Sequence, residues 1–151
     1  MIKKVDYAGT TYNDLPFKYE AGTPNIEGAI ALGVALDFLN GIGVDEVHGH
    51  EASLIEHAAK ALSSIEGLRF YGPHDRSGSL SFNLEGVHHY DLGTLLDQMG
   101  VAVRTGHHCC QPLMSRFDIT GTIRASFACF NDESDIQRLT EAVEKSAGML
   151  R

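Results

Sequence analysis

The sequence predicts an α+β fold: a small mixed or antiparallel sheet covered by helices, with an N-terminal arm and a long helix in front. Two observations predict it. Segments with helical spacing of apolar residues mix irregularly with short strand-like runs, without a regular strand–helix repeat. The 151 residues, 43% hydrophobic and 21% charged, suit one domain, or one domain with an appended arm, that buries a core without disulfide staples.

Residues 1–22 carry no sustained period and contain Gly9, Asn13-Asp14, Pro16 and Gly22, so they read as an irregular arm. Such a long arm points to packing on something outside this chain. Thr23 is placed to cap a helix with Pro24 at its first position, running to about Asn40 and rich in Ala and Gly. Small residues there fit close approach to a neighbour, or ordinary packing within the domain. After Gly41 and Gly43 a longer helix is predicted over 45–64, its buried face marked by Leu54, Ile55, Ala58, Ala61, Leu62 and Ile65.

Residues 68–71 read as a short strand ended by Gly72-Pro73. Residues 79–84 alternate with period two, as a half-buried strand does. Asp91 is the predicted cap of a helix with Leu92, Leu95, Leu96 and Met99 on one side, stopped by Gly100. Strands follow at 101–103 and 122–127. Asn131 or Asp132 caps a last helix striped by Ile136, Leu139, Val143 and Ala147.

A formal charge of −8, with no basic stripe, argues against nucleic acid or an anionic membrane as partner. The apolar stretch at 29–39 is too short to span a bilayer, and the first residues lack the apolar segment of a signal peptide. Three cysteines, two adjacent, are no disulfide framework and suit a reducing cytosol.

The segment richest in chemistry is Arg104-Thr105-Gly106-His107-His108-Cys109-Cys110-Gln111-Pro112. Two histidines lead into a thiol, with a glycine bend before and a proline stop after. Positive charge and imidazole favour the reactive thiolate, so Cys109 reads as a nucleophile on a loop. Cys110 reads as a bystander and Cys129 as core. His107 and His108 are placed to tune the thiol, to move protons, or to bind metal with Cys109. Metal ranks last, because three adjacent ligands wrap one ion poorly. His88-His89 is not placed near them by sequence, and His48, His50 and His57 read as a solvated helix face. Arg104 and Arg124 lie in apolar runs, where a guanidinium needs an anionic partner. A structural salt bridge and a bidentate clamp on a carboxylate fit equally well.

These residues, in this order, resemble the C-terminal portion of Suf-type (group II) cysteine desulfurases, of the class V aminotransferase, fold-type I pyridoxal phosphate (PLP) superfamily. The likeness runs through Phe17 to Asn25, Tyr71-Gly72-Pro73, Ser81-Phe82-Asn83, His89-Tyr90-Asp91, Arg104 to Pro112 with Leu113-Met114, and Arg124-Ala125-Ser126. The resemblance implies conversion of L-cysteine to L-alanine, with PLP as electron sink and sulfur taken by Cys109 as a persulfide for iron–sulfur cluster assembly. It implies that Arg124, supported by Arg104, clamps the substrate carboxylate, and that His107 and His108 shape the thiol's surroundings. Thr23 is implied to reach the PLP phosphate of the partner subunit.

It also implies 1–22 as an arm, 23–41 as an interdomain helix and 42–151 as the small C-terminal domain. The N-terminal PLP domain and its lysine are expected to lie outside this sequence. None of Lys3, Lys4, Lys18, Lys60 or Lys145 stands in the expected His-Lys context. The parent is expected to be a cytoplasmic homodimer that passes sulfur to an acceptor protein. The 151 residues alone are expected to be inactive, to bind no PLP and to hold no metal. The family usually has alanine at the position of Cys110. Other readings are a selenocysteine lyase or related class V enzyme, and a stand-alone thiol or metal-binding module.

Overall fold

The computed structural model describes residues 1–76 and 78–151. They form two compact units, Met1–Ile42 and Gly43–Arg151.

In the first unit, β1 (Ile2–Asp6) pairs antiparallel with β2 (Gly9–Tyr12), Asp6 facing Gly9. Asp6 Oδ1 accepts the Ala8 N–H at 3.0 Å and closes the turn. A 3-10 turn follows at Phe17–Tyr19. The stretch read as irregular thus contains a hairpin. Its strands are short and exposed on both faces, so no hydrophobic alternation marks them in the sequence.

Helix α1 (Ile26–Ile42) has no buried residue within the structure. Its start differs from expectation. Asn25, not Thr23, accepts the free amide of Gly28 through Oδ1 at 3.0 Å. A Cβ at position 28 would lie 2.5 Å from the Asn25 side chain, so a larger residue there would push that side chain aside.

In the second unit, a four-stranded antiparallel sheet runs β3 (Leu68–Tyr71), β4 (Ser79–Leu84), β6 (Thr122–Ser126), β5 (Arg104–Gly106). This is the α+β architecture the sequence predicts. Leu80, Phe82 and Leu84 of β4 and Ile123 and Ala125 of β6 point to one face. There they pack on α2 (Val44–Leu62), α3 (His89–Gln98) and α5 (Glu133–Leu150) through Leu54, Ala58, Leu62, Leu92, Leu96 and Val143. Burying such side chains contributes about 1.5–3 kcal/mol each. Asp132 and Asp135 form a reciprocal capping box at the start of α5.

Three local readings change. His88, not Asp91, caps α3: its Nδ1 accepts the Tyr90 N–H at 3.3 Å, which puts Asp91 in the first turn, where its charge suits the helix dipole. Val101–Val103 is not a strand; Val101 and Val103 lean on the core, and the ladder begins at Arg104. Pro112 does not stop the chain but opens a short helix, α4 (Gln111–Phe117), since proline's missing N–H costs nothing in a first turn. Phe117 sets α4 edge-on against Tyr71, ring centroids 5.5 Å apart.

Candidate active site

The strand register builds the site. Tyr71 pairs with Ser81, Ser81 with Arg124 and Arg124 with Arg104, so one row crosses all four strands on the face opposite the core. Two guanidinium groups therefore stand directly opposite each other. Like charges so placed destabilise a sheet unless an anion lies between them. Among the described residues no carboxylate lies within 4.0 Å of either, and the Arg124 Nε is buried without a partner. An internal salt bridge, one of the two sequence readings, is not formed among the described residues.

The thiol loop leaves β5 at Gly106, whose φ of +117° brings the chain over Tyr90. His108 and Cys109 have φ of +53° and +59°, and the Cys110 N–H donates to the His107 carbonyl at 2.8 Å. Positive φ at both central residues is the pattern of a type I′ turn, normally the territory of Asn and Gly. Each such non-glycine residue costs about 1–3 kcal/mol.

Two side-chain contacts hold the turn. The Cys109 N–H donates to His107 Nδ1 at 3.0 Å, so that nitrogen carries no proton. His108 Nε2 lies 3.1 Å from the Thr122 carbonyl and 3.0 Å from its hydroxyl. The carbonyl only accepts, so Nε2 carries the proton and Nδ1 is left buried and unpaired. Burial, first, holds His108 below the ordinary imidazole pKa; Arg124, Arg104 and His107 push the same way, against the Thr122 carbonyl. Cys109 is exposed, with Arg104 Nη2 4.0 Å from its sulfur. Sequence and register thus bring Arg104, Arg124, His107, His108 and Cys109 together. Thr23 stands exposed in the first unit.

Sequence reasoning did not single out Thr122, Asn83 or His89 as site residues. Thr122 is 2% exposed and anchors His108. The alternation of β4 places Asn83 two residues from Ser81 on the arginine-bearing face, a signal present in the sequence. A groove of about 830 Å³ on that face is lined by Arg69, Tyr71, Asn83, His89, Asp118 and Gly121 among others. Asn83 donates to the Gly121 carbonyl at 2.9 Å, while its Oδ1 and the His89 Nδ1 are buried without partners. His89 is 5% exposed. Burial foremost, then the His88 and His108 charges, lower its pKa against Asp91. Among the described residues, no three His, Cys, Asp or Glu side chains are grouped to hold a metal ion. No single helix there is long and apolar enough to cross a membrane.

The sequence matches the class-V aminotransferase family over residues 1–139. The chain belongs to that family. It is 49% identical over 97% of its length to a probable cysteine desulfurase of Halalkalibacterium halodurans, and 45% identical over 99% to one of Vibrio cholerae. It spans 36% and 37% of those two proteins, little more than a third of each. The fold superposes on the cysteine desulfurase CsdA of Escherichia coli with a TM-score of 0.87 and 40% identity, covering all of this chain and 38% of CsdA. A cysteine desulfurase of Thermococcus onnurineus gives 0.85 at 34% identity, over 99% of this chain and 38% of that one. This class-V aminotransferase chain carries its arginine pair on the β5–β6 ladder and its exposed thiol on the loop that leaves β5.

Proposed function

We propose that this chain is the C-terminal portion of a Suf-type cysteine desulfurase. The observation that carries the reading is an arginine pair with no carboxylate within 4.0 Å among the described residues, its nearer member 4.0 Å from an exposed thiol. That is the electrostatics of a site for a small carboxylate whose sulfur must meet a cysteine. In this reading Arg124, backed by Arg104, holds the carboxylate of L-cysteine and so orients its Cβ–Sγ bond toward Cys109. The Cys109 thiolate takes the sulfur as a persulfide; the substrate carbon gains a proton and leaves as L-alanine. The strained turn holds the thiol at the rim, where a sulfur-acceptor protein can collect the persulfide for iron–sulfur cluster assembly.

PLP supplies the electron sink for the carbon–sulfur cleavage when bound. The donor set here does not complete a PLP site. Lys60 and Lys145 stand on α2 and α5, which cover the opposite face of the sheet from the arginine row. In this reading the anchoring lysine is supplied by an N-terminal domain, and the 151 residues alone are expected to be inactive. We assign 1–22 as a linking arm, 23–41 as an interdomain helix and 42–151 as the small domain. Thr23 contacts the PLP phosphate of the partner subunit in a cytoplasmic homodimer.

The test uses the full-length parent. With L-cysteine it gains 32 Da on Cys109 and releases alanine, and Cys109→Ser loses both. Alanine release at the parent rate by Cys109→Ser overturns the assignment.

A further inference from the structure

Cys110 reads from sequence as a bystander, yet both adjacent thiols are free and exposed. Burial is what makes a cysteine inert, and Cys110 lacks it. Its N–H donates to the His107 carbonyl at 2.8 Å, so Cys109 and Cys110 belong to one hydrogen-bonded turn. They are not equivalent. Arg104 stands 4.0 Å from Cys109 Sγ, while among the described residues no hydrogen-bond donor reaches Cys110 Sγ.

We propose that Cys110 is a second sulfur carrier, which receives the outer sulfur of a Cys109 persulfide. This rests on the desulfurase reading of Cys109. In the step, the Cys110 thiolate attacks the outer sulfur. A bond forms between Cys110 Sγ and that sulfur, and the bond from it to Cys109 Sγ breaks. The hydrogen on the outer sulfur travels with it, Cys109 leaves as thiolate, and the proton first lost by Cys110 goes to solvent. One persulfide and one thiolate become one persulfide and one thiolate, with no oxidant or reductant consumed.

Direction follows from charge. A leaving thiolate departs faster when its negative charge is stabilised, and among the described residues only the Cys109 sulfur has a guanidinium beside it. The competing step, attack on the inner sulfur, would expel sulfide and close a disulfide between neighbouring residues. Neighbouring Cα atoms are about 3.8 Å apart, short of the roughly 4.4–6.8 Å that disulfides span without strain. Transfer of the outer sulfur spans the two residues through one more sulfur atom, so their own sulfurs need not come to bonding distance. It moves the cargo one residue along the loop, away from the arginine pair.

The probe is inorganic polysulfide, added in limiting amount to the 151-residue chain. Samples are alkylated at intervals, and fragment ions that separate positions 109 and 110 locate the added 32 Da. In the unsubstituted chain the label appears first on Cys109 and then on Cys110. In Cys110→Ser it remains on Cys109 about tenfold longer, and in Cys109→Ser Cys110 labels at least about tenfold more slowly. The relay is overturned if the label stays on Cys109 in the unsubstituted chain, if a species 2 Da lighter accumulates instead, or if Cys109→Ser labels Cys110 at the full rate. Absence of label from Cys109 in both the unsubstituted chain and Cys110→Ser strikes at the desulfurase reading itself, a different failure.

Discussion

Arg104 and Arg124 face each other across the β5–β6 ladder with no carboxylate within 4.0 Å among the described residues. The arrangement costs stability and makes sense only when an anion lies between them. Replacing Arg104 by Gln removes one of the opposed charges, and the sheet gains roughly 0.2–1 kcal/mol. Urea unfolding of the 151-residue chain measures it; a clear loss of stability would restore the salt-bridge reading.

In the full-length parent, Arg124→Ala lowers kcat/KM for L-cysteine on the order of 10- to 100-fold. A charge-assisted hydrogen bond is worth about 1.5–3 kcal/mol. Steady-state alanine release gives the number, and a change under twofold removes Arg124 from the site.

Cys109 has a φ of +59° and an exposed side chain, so its backbone, not its packing, dominates its effect on stability. Glycine relieves the left-handed strain that alanine keeps. Cys109→Gly is therefore more stable than Cys109→Ala by roughly 0.5–1 kcal/mol, after allowance for glycine's freer unfolded chain. Paired denaturation curves check the order of the two variants.

Gly121 stands where a Cβ would lie 2.5 Å from His89 Nε2 and 2.7 Å from the Gly106 backbone, which cannot yield cheaply. Gly121→Ala loses about 1–3 kcal/mol by overpacking. Gly49, inside α2 with nothing within 4 Å of its added methyl group, goes the other way. Gly49→Ala gains up to about 1 kcal/mol from helix propensity. Equal effects of the two substitutions would contradict the packing around His89.

His89 and His108 both have lowered pKa values, each chiefly through burial. The unfolded chain then binds more protons than the folded one as pH falls through the ordinary histidine range. Their contribution is complete above about pH 6.5 and is lost progressively below it, toward the lowered folded values. Urea midpoints at pH 7.5 and 5.5 show the drop, and His108→Asn flattens it.

The chemistry was legible in the sequence where it rests on local order. The contiguous run from Arg104 to Pro112, the alternation of β4 and the stripe of α5 announced a thiol loop, a half-buried strand and a covering helix. The hairpin at Ile2–Asp6 and Gly9–Tyr12 was not legible, because strands exposed on both faces leave no hydrophobic period. The turn at His108-Cys109 was hidden for a related reason. Its residues are not the Asn and Gly that such backbone prefers, and contacts from His107 and Thr122 hold it instead.

By itself, the sequence determined the α+β class, the core faces and the family, since each is written in local spacing or in an unbroken motif. Only the tertiary structure decided that Arg124 stands opposite Arg104, that Thr122 tethers His108, and that Asn83 and His89 share a groove. Those relations join residues far apart in the chain. Ladder register and backbone hydrogen bonds create them, and a linear order of side chains does not encode register until the strands pair.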